Sequence, residues 1–218
     1  RAKIRENTYH FTNEWAGMSV KLGKLARYFC KIEFAEENTM FLVLHLNSRL
    51  QPKHRFELED ALTEIFESND NVGKITGGGT AMFPSGEIES CDIEIEFSNR
   101  SEDFEWLLNL LDNIGIPKGS VVKTGGKDFS VGSLEGLGLY LNGCDLPQEI
   151  YEICDVNELI GQLENSLGET GRLFSWMELN DFTALYFYGT LFDEMNDKIK
   201  PVISSHPLCQ KCRVERIA

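Results

Sequence analysis

The chain has 218 residues, with 35 Asp and Glu against 21 Lys and Arg, a formal net charge of −14, and 42% hydrophobic residues including 14 Phe. That apolar content predicts a folded globule and excludes an acidic disordered tail, and the length suffices for one large domain or two small ones that each bury a core. No apolar run reaches the roughly 18 residues of a spanning helix and no signal pattern opens the chain, so a soluble cytoplasmic protein without a membrane partner is expected.

Residues 1–39 hold seven Lys/Arg and five Asp/Glu, and the remaining 179 hold 14 and 30. A body this acidic repels phosphate, so no nucleic acid partner is expected, whereas a basic partner would be steered into encounter. The six Cys are read as thiols in a reducing compartment, because Cys91 sits among alternating strand residues where a thiol behaves as a small hydrophobe.

In chain order, residues 1–39 form a leader without a strong period, containing Trp15, Tyr28, Phe29 and Phe34. A first unit spans 40–124. It begins with a strand at Phe41–Leu46 and a helix at His54–Ser68, whose stripe is Phe56, Leu58, Leu62, Ile65 and Phe66. An extended segment, Gly73–Met82, turns at Pro84-Ser85-Gly86 into a return strand, Ile88–Phe97. There Cys91, Ile93, Ile95 and Phe97 alternate with Asp92, Glu94 and Glu96, the period of a strand with one buried face. A second helix starts near Ser101 with the stripe Phe104, Leu107, Leu108, Leu111 and Ile114, and ends at Gly115 and Pro117. Ser120–Lys123 closes the unit, and Thr124-Gly125-Gly126-Lys127 reads as a linker.

The second unit, 128–218, repeats the order. Leu134–Leu141 is its first strand, and a helix from Asp155 carries Val156, Leu159, Ile160, Leu163 and Leu167. Strands Leu173–Leu179 and Phe182–Tyr188 meet at Asn180-Asp181, Leu191–Val202 is helical, and Cys209–Ile217 closes the unit. Phe41-Leu42-Val43-Leu44-His45-Leu46-Asn47 and Leu137-Gly138-Leu139-Tyr140-Leu141-Asn142 occupy matching places, the signature of an internal repeat. Both units read β-α-β-β-α-β, which gives an α+β fold of two tandem ferredoxin-like units, with helices on one sheet face and the other open.

Four groups of residues are candidate sites. Gly77, Gly78 and Gly79 form a possible ligand loop, since glycines let a backbone approach an anion. The alternative is a bulge in an edge strand, because no Lys-Ser/Thr pair follows them into a helix. His206, Cys209 and Cys212 are a weak metal candidate lacking a fourth ligand, so no metal and no cofactor are expected. Their other readings are a redox pair or ordinary thiols. Asp92, Glu94 and Glu96, led in by Glu87 and Glu89, present a row of carboxylates to solvent or to a basic partner. Tyr140, Phe174, Trp176, Tyr186 and Tyr188 share the non-helix face of the second sheet, as interface anchors or as packing against the other unit or the leader. Such a face is like that of RNA-recognition modules, but the basic, Gly-flanked aromatic signature is missing. The His residues are scattered and no catalytic motif is legible.

Small, acidic, α+β and without a catalytic motif, the body resembles the acidic immunity proteins of bacterial toxin systems. The resemblance implies a non-enzymatic protein-binding module that masks a basic toxin or nucleic-acid-acting partner. Glu87, Glu89, Asp92, Glu94 and Glu96 would then steer, and Tyr140, Trp176, Tyr186 and Tyr188 would anchor. The competing expectation is a ligand-sensing or enzymatic domain with a small-molecule site between the units. Self-association through open sheet faces is a third, and the oligomeric state is left open.

Overall fold

The computed structural model describes residues 39–218. The leader aromatics and Cys30 lie outside the described residues. The first unit comprises β1 (Thr39–Leu46), α1 (Pro52–Glu67), β2 (Gly73–Met82), β3 (Ile88–Ser98), α2 (Ser101–Asn113), β4 (Ser120–Thr124) and β5 (Lys127–Val131). The second comprises β6 (Glu135–Asn142), α3 (Gln148–Ile153), α4 (Val156–Leu167), β7 (Gly171–Glu178), β8 (Phe182–Gly189), α5 (Phe192–Ser205) and β9 (Arg213–Arg216).

The sheets run β2-β3-β1-β4-β5 and β7-β8-β6-β9. Ignoring β5, both follow one order: second, third, first, fourth, all antiparallel. This is the split βαβ arrangement, and the chain folds as two tandem ferredoxin-like units. Period-two alternation produces it directly. Leu42, Leu44 and Leu46 of β1 and Cys91, Ile93, Ile95 and Phe97 of β3 are buried beneath Leu58, Leu62, Ile65 and Phe66 of α1 and Leu107, Leu110 and Leu111 of α2. The second core joins Leu137, Leu139, Leu185 and Phe187 to Val156, Leu159, Ile160 and Leu163 of α4 and Met195 and Ile199 of α5. The repeat extends to its irregularities, since β2 is bulged between Ile75 and Gly77 and β7 between Leu173 and Ser175.

Several details differ from the sequence expectation. Gly125 and Gly126 are not a linker. Both have positive φ and form the tight turn of a hairpin in which Thr124 faces Lys127. The first sheet therefore continues to Val131. Phe56 lies outside the buried stripe at 50% exposure, with the Arg55 guanidinium over its ring. The helix α3 was not foreseen, because six residues are too few to show a period. The closing strand shortens to Arg213–Arg216 after a 3-10 turn at Pro207–Cys209.

After β5 the chain crosses back against the end of α2. Gly132 adopts φ +93, and a Cβ there would lie 2.4 Å from the Pro117 carbonyl oxygen and 2.6 Å from that of Ile116. The crossing is held by Lys118 N–H donating to Leu134 O at 2.7 Å and Ser133 N–H donating to Ile116 O at 2.9 Å. Gly132→Ala should therefore destabilise the chain by about 2 kcal/mol or more, from left-handed strain and overlap together. Urea unfolding measures this, and an unchanged midpoint would mean that the crossing relaxes at no cost.

Candidate functional site

The non-helix face of the second sheet is not open. Tyr140, Phe174, Ala184, Tyr186 and Tyr188 are buried in one continuous cluster with the core of the first unit. Two glycines make this face possible. Gly136 and Gly138 of β6 stand opposite Tyr188 and Tyr186. A Cβ at Gly136 would meet the Tyr188 ring at 2.8 Å, and one at Gly138 would meet the Tyr140 ring at 2.8 Å. The bare backbone lets the rings lie over the strand.

Into this aromatic floor the first unit inserts Arg49, from the turn after β1, and Glu87, from the β2–β3 hairpin. One carboxylate oxygen, Glu87 Oε1, accepts from Arg49 Nη1, from the Tyr140 hydroxyl at 2.7 Å and from the Tyr186 hydroxyl at 3.0 Å. Arg49 Nη1 also donates to the Tyr140 hydroxyl, and the Arg49 backbone N–H donates to the Tyr188 hydroxyl at 2.9 Å. Glu87 is only 8% exposed. Burial, helped by the adjacent carboxylate, pushes the Tyr140 and Tyr186 hydroxyls well above their ordinary range, and burial raises Tyr188 to about 12. Phenols held neutral in this way remain hydrogen-bond donors to a charge that would otherwise be unsolvated.

Trp176 takes a different place from the tyrosines. The bulge in β7 shifts the register by one residue, which swaps faces. Phe174 thus points at the joint, while Trp176 pairs with Leu185 and enters the second core. Its ring still reaches the first unit, 4.7 Å from the His54 ring and 4.1 Å from Lys53 Nζ. His54 Nδ1 lies 2.9 Å from the Ser175 hydroxyl. Burial, with Lys53 beside it, lowers the His54 imidazole from its ordinary 6.5 to about 4.

These placements correct the expected partner site. Glu87, Tyr140, Trp176, Tyr186 and Tyr188 are internal to the molecule and cannot anchor a partner while the units stay joined. They also correct the expected small-molecule cleft. The cavity at the joint, lined by Leu46, Leu50, His54, Ile116 and Phe174 among others, has a volume of about 20 Å³, room for about one water.

Asp92, Glu94 and Glu96, with Gly77 and Gly79, lie on the open face of the first sheet, whereas Gly78 pairs with buried Ile93 and backs onto Arg55 and Glu59 of α1, and Glu89 is the unpaired residue at the bulge between Ala81 and Met82. Strand register sets Phe41 beside Glu96, Val43 beside Glu94 and His45 beside Asp92. On the other side Lys74 faces Glu96, Gly77 faces Glu94 and Gly79 faces Asp92. His45 Nδ1 is 2.7 Å from Asp92 Oδ1, and the Thr39 hydroxyl donates to Glu96 Oε1 at 3.0 Å. Phe41 is 72% exposed. Glu89 and Glu94 are exposed, and Asp92 and Glu96 half-buried. The pairing of His45 with Asp92 was missed from sequence, because it needs the β1–β3 register. The glycines are strand residues and not a loop. Gly77 leaves room for the Glu94 carboxylate, 2.8 Å from where its Cβ would be, and Gly78 for the Asp92 carbonyl at 2.6 Å.

Among the described residues no cluster of three His, Cys, Asp or Glu side chains could hold a metal ion. His206 instead accepts on Nδ1 from Leu208 N–H at 3.3 Å. The Cys209 and Cys212 thiols interact with each other. The neighbouring Cys209 thiol holds Cys212 below its ordinary range, and the same contact, with burial, raises Cys209.

No family model matches the chain, and no curated protein matches it. Among solved structures, the first two RRM domains of yeast poly(U) binding protein (Pub1) align over 81% of this chain and 99% of that one, at 11% identity and a TM-score of 0.23. A score that low carries no argument about what this chain binds. Burial of Glu87, Tyr140, Trp176, Tyr186 and Tyr188 removes the anchors of the immunity resemblance and of the basic protein partner, and the exclusion of nucleic acid, read from net charge alone, is withdrawn because net charge does not describe a local surface. No helix among the described residues is long and apolar enough to cross a membrane.

The joint generates two predictions. Arg49→Met strands the Glu87 charge and should cost about 3–5 kcal/mol; adding Glu87→Gln should restore a large part of that, because no buried charge is then uncompensated. An unchanged urea midpoint for Arg49→Met would show that the joint does not depend on this pair. Separately, His54 is neutral when folded and binds its proton more tightly when unfolded. Its contribution is therefore complete above pH 6.5 and is lost as the pH falls toward about 4. Thermal midpoints across that window should fall more steeply for the wild type than for His54→Gln, and equal slopes would remove His54 as the cause.

Proposed function

We propose that the chain is a binding module whose contact surface is the open face of the first sheet, and that its ligand is a linear polyamine-type polycation. The reading rests on one observation: Asp92, Glu94 and Glu96 form a row beside bare Gly77 and Gly79, with Phe41 at one end and His45 at the other. Alternate residues of a strand are about 7 Å apart. No single ion spans such a row, but amines spaced along one flexible chain do. The Phe41 ring adds a face for an alkylammonium group. A cytoplasmic setting belongs to the same proposal.

Exposed charge pairs contribute about 0.2–1 kcal/mol each. Three of them together supply at most about 3 kcal/mol, which corresponds to binding in roughly the several-millimolar range or weaker, and it should weaken further as salt screens it. Calorimetric titration with spermidine in low salt tests this. The wild type should bind, and Asp92→Asn/Glu94→Gln/Glu96→Gln should lose about tenfold in affinity or more. The reading fails if wild type and triple variant bind spermidine alike, or if the wild type ignores spermidine and takes up poly(U) RNA.

A further inference from the structure

Cys209 and Cys212 lie outside both the joint and the open face. Cys209 ends the 3-10 turn at Pro207–Cys209 and is 4% exposed, in the second core beside Leu208. The chain then reverses. Cys212 N–H donates to Cys209 O at 3.1 Å, Gln210 has φ −60 and ψ 133, and Lys211 has φ 57. These values describe a type II turn, whose third residue is normally Gly or Asn. Lys211 instead carries the left-handed conformation, and its Nζ donates to Asp145 O at 2.9 Å across the neighbouring loop. Such a turn brings its first and last Cα within about 7 Å, which overlaps the roughly 4.4–6.8 Å span that a disulfide bridges.

The two sulfurs are unequal. Cys212 is half-buried, and the Cys209 thiol stabilises its thiolate form. Cys209 sits deeper and keeps its proton. This is the division between an attacking and a resolving thiol. We propose that Cys209 and Cys212 form a reversible dithiol–disulfide site that exchanges with small disulfides of the glutathione class. The Cys212 thiolate attacks one sulfur of the small disulfide, giving a mixed disulfide and one small thiolate. Cys209 then gives up its proton and attacks the Cys212 sulfur, closing the internal bond and expelling the second small thiolate. The protein loses two electrons and the small disulfide gains them, leaving as two thiols.

The site adjoins the joint through one residue. Arg213, next after Cys212, opens β9 and holds its guanidinium 4.0 Å from the centre of the Tyr140 ring. Closing the disulfide constrains the chain where it enters this contact.

The test is to incubate the full chain with oxidised glutathione, alkylate the remaining thiols, digest, and read the peptides by mass spectrometry. The expected product is a Cys209–Cys212 peptide lighter by two hydrogen atoms, with alkylation of Cys212 down about tenfold, labelling of the exposed Cys144 retained, and full reversal by dithiothreitol. In Cys209→Ser the reaction should stop at a glutathione adduct on Cys212. In Cys144→Ser the internal bond should still form. Undiminished alkylation of Cys212 after oxidation would overturn the proposal, as would a bond from Cys212 to Cys144 that disappears in Cys144→Ser.

Discussion

The structure depends on one carboxylate that is almost wholly withdrawn from water. Glu87 lies between the units with three donors, from Arg49, Tyr140 and Tyr186, converging on a single oxygen. Removing a carboxylate and a guanidinium from water costs several kcal/mol per ion, and their attraction returns this only when the geometry is good and the remaining lone pairs are occupied. Apolar contact alone would let the aromatic floor of the second sheet slide against the first unit. The ion pair does not, because any displacement leaves a buried charge without a partner. The pair therefore contributes less to net stability than to fixing how the units sit.

That arrangement breaks the symmetry of the repeat. Both units share a strand order, and both bulge their second strand at the corresponding place. Yet the second unit presents its open sheet face and the first presents the ends of its strands and helices: the turn after β1, the β2–β3 hairpin and the end of α2. Two open faces packed together would have hidden both. Packing a face against an end hides only one, and the surviving face is the charged one. Tyr140, Tyr186 and Tyr188 are used up in assembly, while Asp92, Glu94 and Glu96 stay at the surface.

How much of this was legible follows from which signals are local. Alternation in β1, β3 and β8 and the stripes of α2 and α4 are properties of short windows, and they yielded the element order and the ferredoxin-like units. Alternation also showed that Tyr140, Tyr186 and Tyr188 share a face. It could not say what covers that face, because burial of a sheet surface depends on residues about a hundred positions away. Trp176 was misplaced for a local reason of another kind: one extra residue in β7 inverts the face, and a bulge leaves no mark on the hydrophobic pattern. Glu87 was grouped with Glu89 and the strand carboxylates since nothing in a run of acidic residues distinguishes the buried one. A signal did exist in Gly136 and Gly138. Glycines alternating within an otherwise apolar strand mark a close approach, here by aromatic rings.

The charge balance deserved the same separation of local from global. A net charge of −14 describes the far field, which governs solubility and encounter. It does not describe a binding surface, where affinity comes from a few desolvated anchors. With the aromatic anchors committed to the joint, the open face offers Phe41 and a ladder of solvated carboxylates, two of them already engaged by Thr39 and His45. Such a surface is suited to ligands that bring several separated positive charges and little apolar bulk. It is poorly suited to the tight, buried interface that the composition first suggested. The internal joint and the weak open face are thus two consequences of one allocation: the residues able to make a strong contact make it within the chain.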